Sequence, residues 1–361
     1  MTTRRSFLTA AATGIVFCSC PLLDAARAQA PATHRLPVAV RGKRVKTIDV
    51  HSHCLFHESL NLMGDKASSL IPATKGAQEH FIVIEERLKG MDAQAIDMEV
   101  LSINPFWYRK DRDTAAKIVE LQNEKLAALC ASRPDRFAAF ASLALQYPDL
   151  AVRQLETAVK KQGLRGAAIG GSVLGEEFSD PKFHPVWAKA EELGAVLFIH
   201  PQSTPELARR FKGNGWLSNT IGNPLDTTIA LQHLIFEGTL DRFPGLKIIA
   251  AHGGGYLGSY AARGDHACFV APQNCNPDIK LKKRPSDYLK QLYFDALVFT
   301  PEALRHLVAQ VGASQVVIGS DHPIPWEQHP VDHVFATTTL SDEDKIAILG
   351  GNAARLFGMQ G

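Results

Sequence analysis

The amino-acid sequence predicts one (β/α)8 barrel, the TIM-barrel fold, over residues 45–361. Eight short apolar runs alternate with amphipathic helical patterns in this part of the chain, which is the element order of that fold. The runs carry few polar positions, as expected for parallel strands that are covered on both faces. A doubly wound open sheet is the alternative, but no glycine-rich dinucleotide-binding turn follows the first run.

Each predicted element follows from its local pattern. β-Branched and apolar residues dominate the strands, which are predicted at residues 45–50, 98–103, 137–145, 166–171, 195–200, 247–252, 292–298 and 316–321. Apolar residues recur every three or four positions in the helices, which are predicted at residues 82–96, 113–131, 148–162, 181–193, 226–236, 254–263, 301–311, 342–349 and 352–357. Connections 54–79, 202–225 and 265–287 are long, and the first two lie where βα-loops surround an active face.

The N-terminal segment reads as an export signal rather than as part of the barrel. Arg4-Arg5 followed by Phe7-Leu8 is a twin-arginine pattern, and a weakly apolar run covers residues 9–20. That run is too short for a permanent membrane span, and small-x-small cleavage sites follow within residues 26–30. We therefore expect a Tat-type signal peptide at residues 1–30, a lead-in segment at residues 31–44 and a periplasmic mature protein without a membrane span.

The charge balance argues against nucleic acid or an anionic membrane as a partner. Removing residues 1–30 takes three basic and one acidic residue from totals of 39 and 37, which leaves 36 of each. A neutral chain has no electrostatic attraction for polyanions. Four cysteines remain in the mature chain, and Cys268 and Cys275 are close enough in sequence to pair in an oxidising compartment.

Polar residues cluster at the carboxyl ends of four predicted strands. His51 and His53 end the first strand, His200 the fifth and His252 the sixth, while Asp321 ends the eighth. A barrel brings those ends to one rim, which is where its active site lies. Three imidazoles and a carboxylate are a suitable donor set for Zn²⁺ or a similar divalent ion. The pattern therefore predicts a metal site at this rim.

These strand ends resemble the amidohydrolase superfamily, in particular the branch that contains aminocarboxymuconate-semialdehyde decarboxylase. The resemblance covers residues 45–358 and is carried by Ile48-Asp49-Val50-His51-Ser52-His53, Ile199-His200-Pro201, Ala251-His252-Gly253-Gly254-Gly255, Gly319-Ser320-Asp321-His322-Pro323 and the closing Asn352-Ala353-Ala354-Arg355-Leu356-Phe357. It implies that His51, His53, His200 and Asp321 are metal ligands. His252 and Asp321 would then handle protons beside a metal-bound water.

The resemblance also implies a single ion. Binuclear members of the superfamily bridge two ions through a carboxylated lysine at the end of strand 4, whereas Ala167 to Ser172 contain no lysine. The expected cofactor is one divalent ion, with zinc as the first choice and manganese as the second.

A carboxylic acid substrate and a homodimer are further implications of the resemblance. Arg263 lies one helix beyond His252, where the similar decarboxylase donates a substrate-binding arginine across its dimer interface. That branch has a second carboxylate-binding arginine after strand 1, but residues 54–79 contain none. Trp107 and Trp216 lie in predicted rim loops and could wall a flat substrate, as could Phe56, Phe106 and Trp326.

Three functions fit these residues. The expected one is decarboxylation of an aromatic or unsaturated carboxylic acid at the metal centre. The alternative is hydrolysis of an amide, ester or lactone by the same metal-bound water. A third is a catalytically silent barrel that only binds a metal or a small molecule. Carbon dioxide release separates the first two, and a purified protein that holds no divalent metal would exclude both of them.

Overall fold

The structure, a computed structural model, describes residues 37–64, 79–202 and 204–359 and contains a closed eight-stranded barrel. The strands are β1 (Ile48–His53), β2 (Met98–Ser102), β3 (Phe137–Ala139), β4 (Gly166–Ile169), β5 (Val196–Ile199), β6 (Lys247–Ala250), β7 (Tyr293–Asp295) and β8 (Val316–Val317). They pair in parallel as two ladders, β1–β3 and β4–β8. Parallel bridges Ala141–Ala167 and Asp49–Ile318 join the ladders. The predicted barrel is confirmed, and the closure excludes an open sheet.

Helices cover the outside of the barrel. They are α1 (His57–Met63), α2 (Ile84–Ala93), α3 (Arg112–Ser132), α4 (Pro148–Lys160), α5 (His184–Leu193), α6 (Asn223–Phe236), α7 (Thr239–Arg242), α8 (Leu257–Val270), α9 (Pro301–Val311), α10 (Pro330–Ala336), α11 (Asp342–Ile346) and α12 (Asn352–Phe357). A short hairpin, Ala39–Val40 with Lys43–Arg44, precedes β1. None of the helices in the described ranges is long and apolar enough to cross a bilayer.

Two predicted boundaries differ most from those in the structure. The helix predicted at residues 254–263 is α8, Leu257–Val270, so it runs into the connection that was expected to begin at residue 265. The strand predicted at residues 137–145 ends as β3 at Ala139, and only the single bridge from Ala141 continues its pairing. After Ala139 the apolar pattern continues because residues 140–145 are buried as well. The last turns of α8 are exposed instead, so no change in burial pattern marks where that helix ends.

The apolar core has two layers, one inside the barrel and one between the barrel and its helices. Ile48, Val50 and Phe198 belong to the inner layer, which α12 seals at the amino-terminal end of the strands with Phe357. The rings of Phe357 and Phe140 meet edge to face at 5.6 Å. Because this end is filled with apolar side chains, the carboxyl end of the strands is left for polar groups.

A register shift in β1 turns its histidines into the barrel. Ile48 and Val50 face the interior, so strict alternation would point His51 and His53 outward. The pairing of β1 with β2 shifts between Asp49 and Ser52. Such a shift changes which face the following residues occupy. His51 accordingly packs against the interior ring of Phe198, with a centroid distance of 5.1 Å.

Cys268 and Cys275, which the sequence left as a potential pair, are joined by a disulfide. The bond connects the end of α8 to the turn Pro272–Asn274 that follows it. Cys54 is a buried free thiol. Burial raises the pKa of this thiol to about 12, so it stays protonated and is a poor metal ligand.

Candidate metal centre

Three strand ends bring four donor side chains to one point at the carboxyl rim of the barrel. One donor atom each from His51, His53, His200 and Asp321 lies within 4.8 Å of every other. Nε2 of His53 is 2.8 Å from Oδ1 of Asp321, and Nε2 of His51 is 3.3 Å from the same oxygen. All four side chains are buried. The structure thus assembles the donor set that the sequence indicated.

These donor atoms have no other hydrogen-bonding function in the described part of the chain. Nε2 of His51 and of His53, both ring nitrogens of His200 and Oδ1 of Asp321 are buried without a hydrogen bond of acceptable geometry. Buried polar atoms in native proteins are almost always satisfied. A group of them converging on one point, with three imidazoles and one carboxylate, fits a single divalent ion.

The charges of the cluster favour a cation. Burial alone would lower the pKa of His51, but the carboxylates of Asp321 and Asp295 outweigh it and raise that pKa to about 10. Burial and the neighbouring histidines lower the pKa of His200 well below its ordinary value, and burial also lowers the pKa of His53. His53 and His200 are therefore neutral at neutral pH, which is the state in which an imidazole binds a metal.

Asp295, at the end of β7, orients this cluster and was missed by the sequence analysis. It is fully buried, and its carboxylate accepts a hydrogen bond from Nδ1 of His51 at 2.6 Å. It also accepts from the backbone N–H groups of His252 and Gly253, each at 2.9 Å. A carboxylate on Nδ1 leaves the Nε2 lone pair of His51 for the ion. The available signal was one acidic residue within the apolar run predicted at residues 292–298, a strand that ends at Asp295 in the structure.

The ring orientation of a second histidine, His53, depends on Ser102 at the end of β2. The Ser102 hydroxyl donates to the Ser52 carbonyl at 3.0 Å and lies 2.9 Å from Nδ1 of His53. Because the hydroxyl donates its proton to the Ser52 carbonyl, its oxygen accepts a hydrogen bond from Nδ1 of His53. Nε2 of His53 is then free to face Asp321 and the ion.

His252 lies beside the donor set but is not part of it. Its Nε2 is 3.9 Å from Oδ2 of Asp321. His252 and Asp321 both have a left-handed backbone, with φ of 56° and 65°, a strained conformation that is concentrated at functional sites. At Gly255, φ is 65° and a Cβ would come within 2.0 Å of the Pro224 carbonyl oxygen. This glycine therefore lets α6 approach the turn that carries His252.

The predicted substrate-binding residues lie in different places. Trp107 is fully buried and its ring N–H donates to the Leu143 carbonyl at 2.8 Å, so it is a core residue rather than a wall of the site. Its neighbour Phe106 does reach the site. A small cavity of about 30 Å³ beside the metal ligands is lined by His53, Cys54, Leu55, Phe81, Asn104, Phe106 and Ile324. Oδ1 of Asn104 is buried there without a hydrogen-bond partner among the described residues.

Trp216 lies on the rim, and Arg263 does not. The Trp216 ring stacks on Trp326 with a centroid distance of 5.8 Å and an interplanar angle of 15°. Arg263 lies on α8 and lines a cavity of about 620 Å³ outside the barrel, which none of the four metal ligands lines. By volume alone this outer cavity would be the first candidate for the active site. The four converging metal-binding side chains and His252 lie at the rim instead, so we place the active site there.

Comparisons with known proteins agree on one family and one kind of relative. The sequence profile of the family described as amidohydrolase matches residues 48–359. The chain is 31% identical over 279 residues to 2-amino-3-carboxymuconate-6-semialdehyde decarboxylase of Dictyostelium discoideum, covering 76% of each chain. It is 32% identical over 300 residues to gamma-resorcylate decarboxylase of Rhizobium radiobacter, covering 80% of this chain and 91% of the relative.

A solved structure supports the likeness in three dimensions. Dihydroxybenzoic acid decarboxylase from Polaromonas sp. JS666, solved with bound manganese and the inhibitor 2-nitroresorcinol, has a TM-score of 0.77 at 27% identity. The match covers 87% of this chain and 97% of that one.

Proposed function

The chain belongs to the amidohydrolase family, and from this premise we propose that it is a metal-dependent decarboxylase of an aromatic or unsaturated carboxylic acid. The observation that carries the proposal is the buried set of His51, His53, His200 and Asp321 with His252 beside it. Two sequence relatives and one solved structure that are similar to this chain are named as decarboxylases. They support decarboxylation over the hydrolysis that the same donors could perform.

One divalent ion would be held by these four residues. When bound, it supplies a Lewis acid that orients the substrate and stabilises negative charge on its oxygen atoms. Zinc is the expected ion from the nitrogen-rich donor set, and manganese is the ion in the similar structure. At the end of β4, Gly171 has no side chain, and the carboxylate of Asp226 occupies the space that a Cβ atom on Gly171 would need. This crowding favours one ion rather than two.

In decarboxylation the carbon that carries the carboxylate takes up a proton, the bond to the carboxyl carbon breaks, and carbon dioxide leaves. The electron pair of the broken bond stays with the ring or diene and restores its conjugation. His252 is the side chain placed to deliver this proton, since its ring lies at the edge of the donor set and its backbone is held by Asp295. Asp321 lies 3.9 Å away and stabilises the protonated imidazole.

A flat substrate fits the aromatic groups at this rim. Phe106 lines the cavity beside His53, and the stacked Trp216 and Trp326 come from the loops that follow β5 and β8. Asn104 offers a buried amide oxygen without a partner among the described residues, which could accept a hydrogen bond from a ring hydroxyl. We infer that the substrate carries its carboxylate on a flat ring or conjugated chain.

The test is carbon dioxide release from a panel of hydroxybenzoic and unsaturated acids by the enzyme loaded with Zn²⁺ or Mn²⁺. We expect turnover of at least one acid and loss of turnover after chelation. The variant His252→Asn should retain its metal, as measured by elemental analysis, while losing most activity. Turnover of esters or lactones without carbon dioxide release from any acid would overturn the assignment in favour of hydrolysis.

We also propose that the protein works as a homodimer. On α8 the side chains of Tyr260, Phe269 and Val270 are exposed by 64%, 86% and 75%, and Arg263 lies on the same helix. A patch of exposed large apolar residues is typical of a protein–protein interface. The similarity to aminocarboxymuconate-semialdehyde decarboxylase supports a second copy as the partner, with Arg263 donated to its site.

For the cellular location we propose Tat-dependent export to the periplasm. The twin arginines Arg4 and Arg5 lie outside the described residues, so the proposal rests on the sequence pattern. The disulfide between Cys268 and Cys275 supports it, since such bonds persist in oxidising compartments. Replacing both arginines by lysine should leave the unprocessed chain in the cytoplasm, which fractionation and mass measurement detect. Unchanged export of this variant would contradict the proposal.

A further inference from the structure

A buried ion pair contacts the chain segments that carry the metal ligands. Arg87 on α2 and Glu99 on β2 are both 0% exposed. Burying a charge is costly unless it is paired and hydrogen-bonded, and arginine is almost never fully buried without such partners. Nη1 of Arg87 lies 2.6 Å from Oε2 of Glu99. A fully buried pair so close to the site calls for a structural or functional reason.

Arg87 reaches the end of β1, which carries two of the metal ligands. Its Nη1 donates to the Ser52 hydroxyl at 2.9 Å, and its Nη2 donates to the backbone carbonyl of His53. The planar guanidinium can make these bonds together with the one to Glu99 because its donors point in fixed, different directions. The position of the His53 backbone is therefore tied to the guanidinium.

Glu99 ties the same pair to the end of β8. Its Oε1 accepts from Nδ1 of His322 at 2.6 Å, and His322 directly follows the ligand Asp321 in the chain. The His322 carbonyl in turn accepts from the backbone N–H of His53 at 2.6 Å. The two ligand-bearing segments are thus held by one network, which runs from His53 through Arg87 and Glu99 to His322.

We propose that the Arg87–Glu99 pair is a positioning clamp that sets the spacing between His53 and Asp321 and thereby the affinity and coordination geometry of the metal site. The inference rests on the proposed function only in that the site binds a divalent ion, and it is independent of the reaction. Partners of this kind behind metal ligands contribute about 10–100-fold to metal affinity.

Cobalt binding by the purified protein, freed of metal by a chelator, tests the clamp. Co²⁺ reports affinity by competition with a chelator and reports coordination through its visible absorption band, neither of which requires catalysis. The informative variant is Arg87→Met with Glu99→Gln, because removing both charges avoids an uncompensated buried carboxylate. We expect a thermal midpoint close to that of the natural chain, Co²⁺ affinity lower by about 10–100-fold, and an altered absorption band.

A matched pair elsewhere in the barrel provides the control. Arg136 and Asp92 form a largely buried ion pair at 2.8 Å, and Arg136 also donates to the Asp97 carbonyl at 2.9 Å. Arg136→Met with Asp92→Asn removes the same two kinds of charge from a region that contacts no metal ligand. This variant should lose some thermal stability and keep the Co²⁺ affinity and absorption band of the natural chain.

Each result decides the proposal. Unchanged Co²⁺ affinity and absorption in the folded Arg87→Met, Glu99→Gln variant would reduce the pair to a structural role and overturn the clamp. If that variant fails to fold, Arg87→Lys takes its place, because an ammonium keeps the charge but lacks the fork that reaches Ser52, His53 and Glu99 together. Weaker Co²⁺ binding by the Arg87→Lys variant supports the clamp. Co²⁺ binding as tight as that of the natural chain overturns it. A natural chain that binds no Co²⁺ overturns it too. Binding without carbon dioxide release overturns only the reaction.

Discussion

At the scale of single residues, Asp295 determines what His51 can do. Its carboxylate accepts a hydrogen bond from Nδ1 of His51 and another from the backbone N–H of His252. Burial would by itself raise the pKa of Asp295, but its hydrogen bond from His51 and the nearby positive charges outweigh this and lower it. One ionised side chain therefore sets both the metal-binding nitrogen and the position of the proton donor.

Asp295→Asn should weaken metal binding by about 10–100-fold. The amide can donate to Nδ1 of His51, which would move the ring proton to Nε2 and remove the lone pair that faces the ion. Competition between the protein and a chelator for Zn²⁺ or Mn²⁺ measures this loss. Asp287→Asn is the control, because Asp287 is partly exposed and pairs with Arg284. Equal metal affinity in the two variants would show that Asp295 does not orient the ligand.

Asp226 is a second buried carboxyl group, and it predicts a pH dependence of stability. Burial raises its pKa to about 7, with a further contribution from Glu177 and Glu206 and an opposing one from the Gln202 N–H. A carboxyl group with a raised pKa in the folded state stabilises the fold while protonated. That contribution disappears as the pH rises from the ordinary carboxyl range to about 7.

Asp226→Asn should therefore stabilise the protein more at higher pH. The amide oxygen can still accept from the Gln202 N–H, while the variant has no charge to bury. We expect the gain in unfolding free energy to be larger by about 2 kcal/mol at about pH 8 than at about pH 5. Urea unfolding at both values measures it. A gain that is equal at both values would mean that Asp226 titrates normally in the folded state.

At the scale of elements, three rim loops meet through their aromatic rings. Trp216 follows β5, Phe299 follows β7 and Trp326 follows β8. The Trp326 ring stacks on Trp216 and lies 6.0 Å from the Phe299 ring. Trp216 and Phe299 have left-handed backbones, with φ of 49° and 67°. Bulky residues rarely adopt this conformation, so the loops hold these rings in place at some conformational cost.

Trp216→Ala should raise KM for an aromatic acid by about 10-fold while changing metal content little. The substitution removes a ring that would face the substrate and leaves the metal ligands untouched. Steady-state kinetics with elemental analysis distinguishes the two effects. Trp216→Phe keeps an aromatic face and should stay close to the natural KM. An alanine variant with unchanged KM would remove Trp216 from the substrate wall.

At the scale of the whole molecule, the barrel separates stability from chemistry. The amino-terminal end of the strands is filled by apolar residues and closed by α12, while the carboxyl end carries the buried polar groups. On α8 a single copy leaves the large apolar side chains of Phe269 and Val270 exposed by 86% and 75%. Arg263 is exposed there and lines the outer cavity rather than the rim, which is why the substrate contact proposed for it involves the site of a second copy.

Phe269→Glu should convert the proposed dimer to a monomer, because a charge would replace the most exposed apolar side chain of α8. Sedimentation at several concentrations measures the change. Arg263→Ala is the companion variant, which should remain a dimer and keep its metal but show a KM for the acid that is at least about 10-fold higher. A natural chain that sediments as a monomer at all concentrations would rule out both expectations.

Much of the site could be predicted because its determinants are local. A histidine or aspartate at the end of an apolar run is visible without knowing which strands are neighbours, and the barrel rule brings all such ends to one rim. In this way His51, His53, His200, Asp321 and His252 were found together. The family and the barrel followed from the same stretches. The missing lysine at the end of strand 4 was likewise readable from the chain alone.

The tertiary structure decided what depends on contacts between distant segments. The register shift of β1 points its histidines inward, although Ile48 and Val50 occupy the inner face before it. Asp295 and Arg87 act on His51 and His53 from positions far away in the chain. Trp107, with the same aromatic character as Trp216, is buried in the core. Residue type and spacing identify which groups can bind a metal, whereas orientation and burial follow from the packing of strands and helices that no local pattern records.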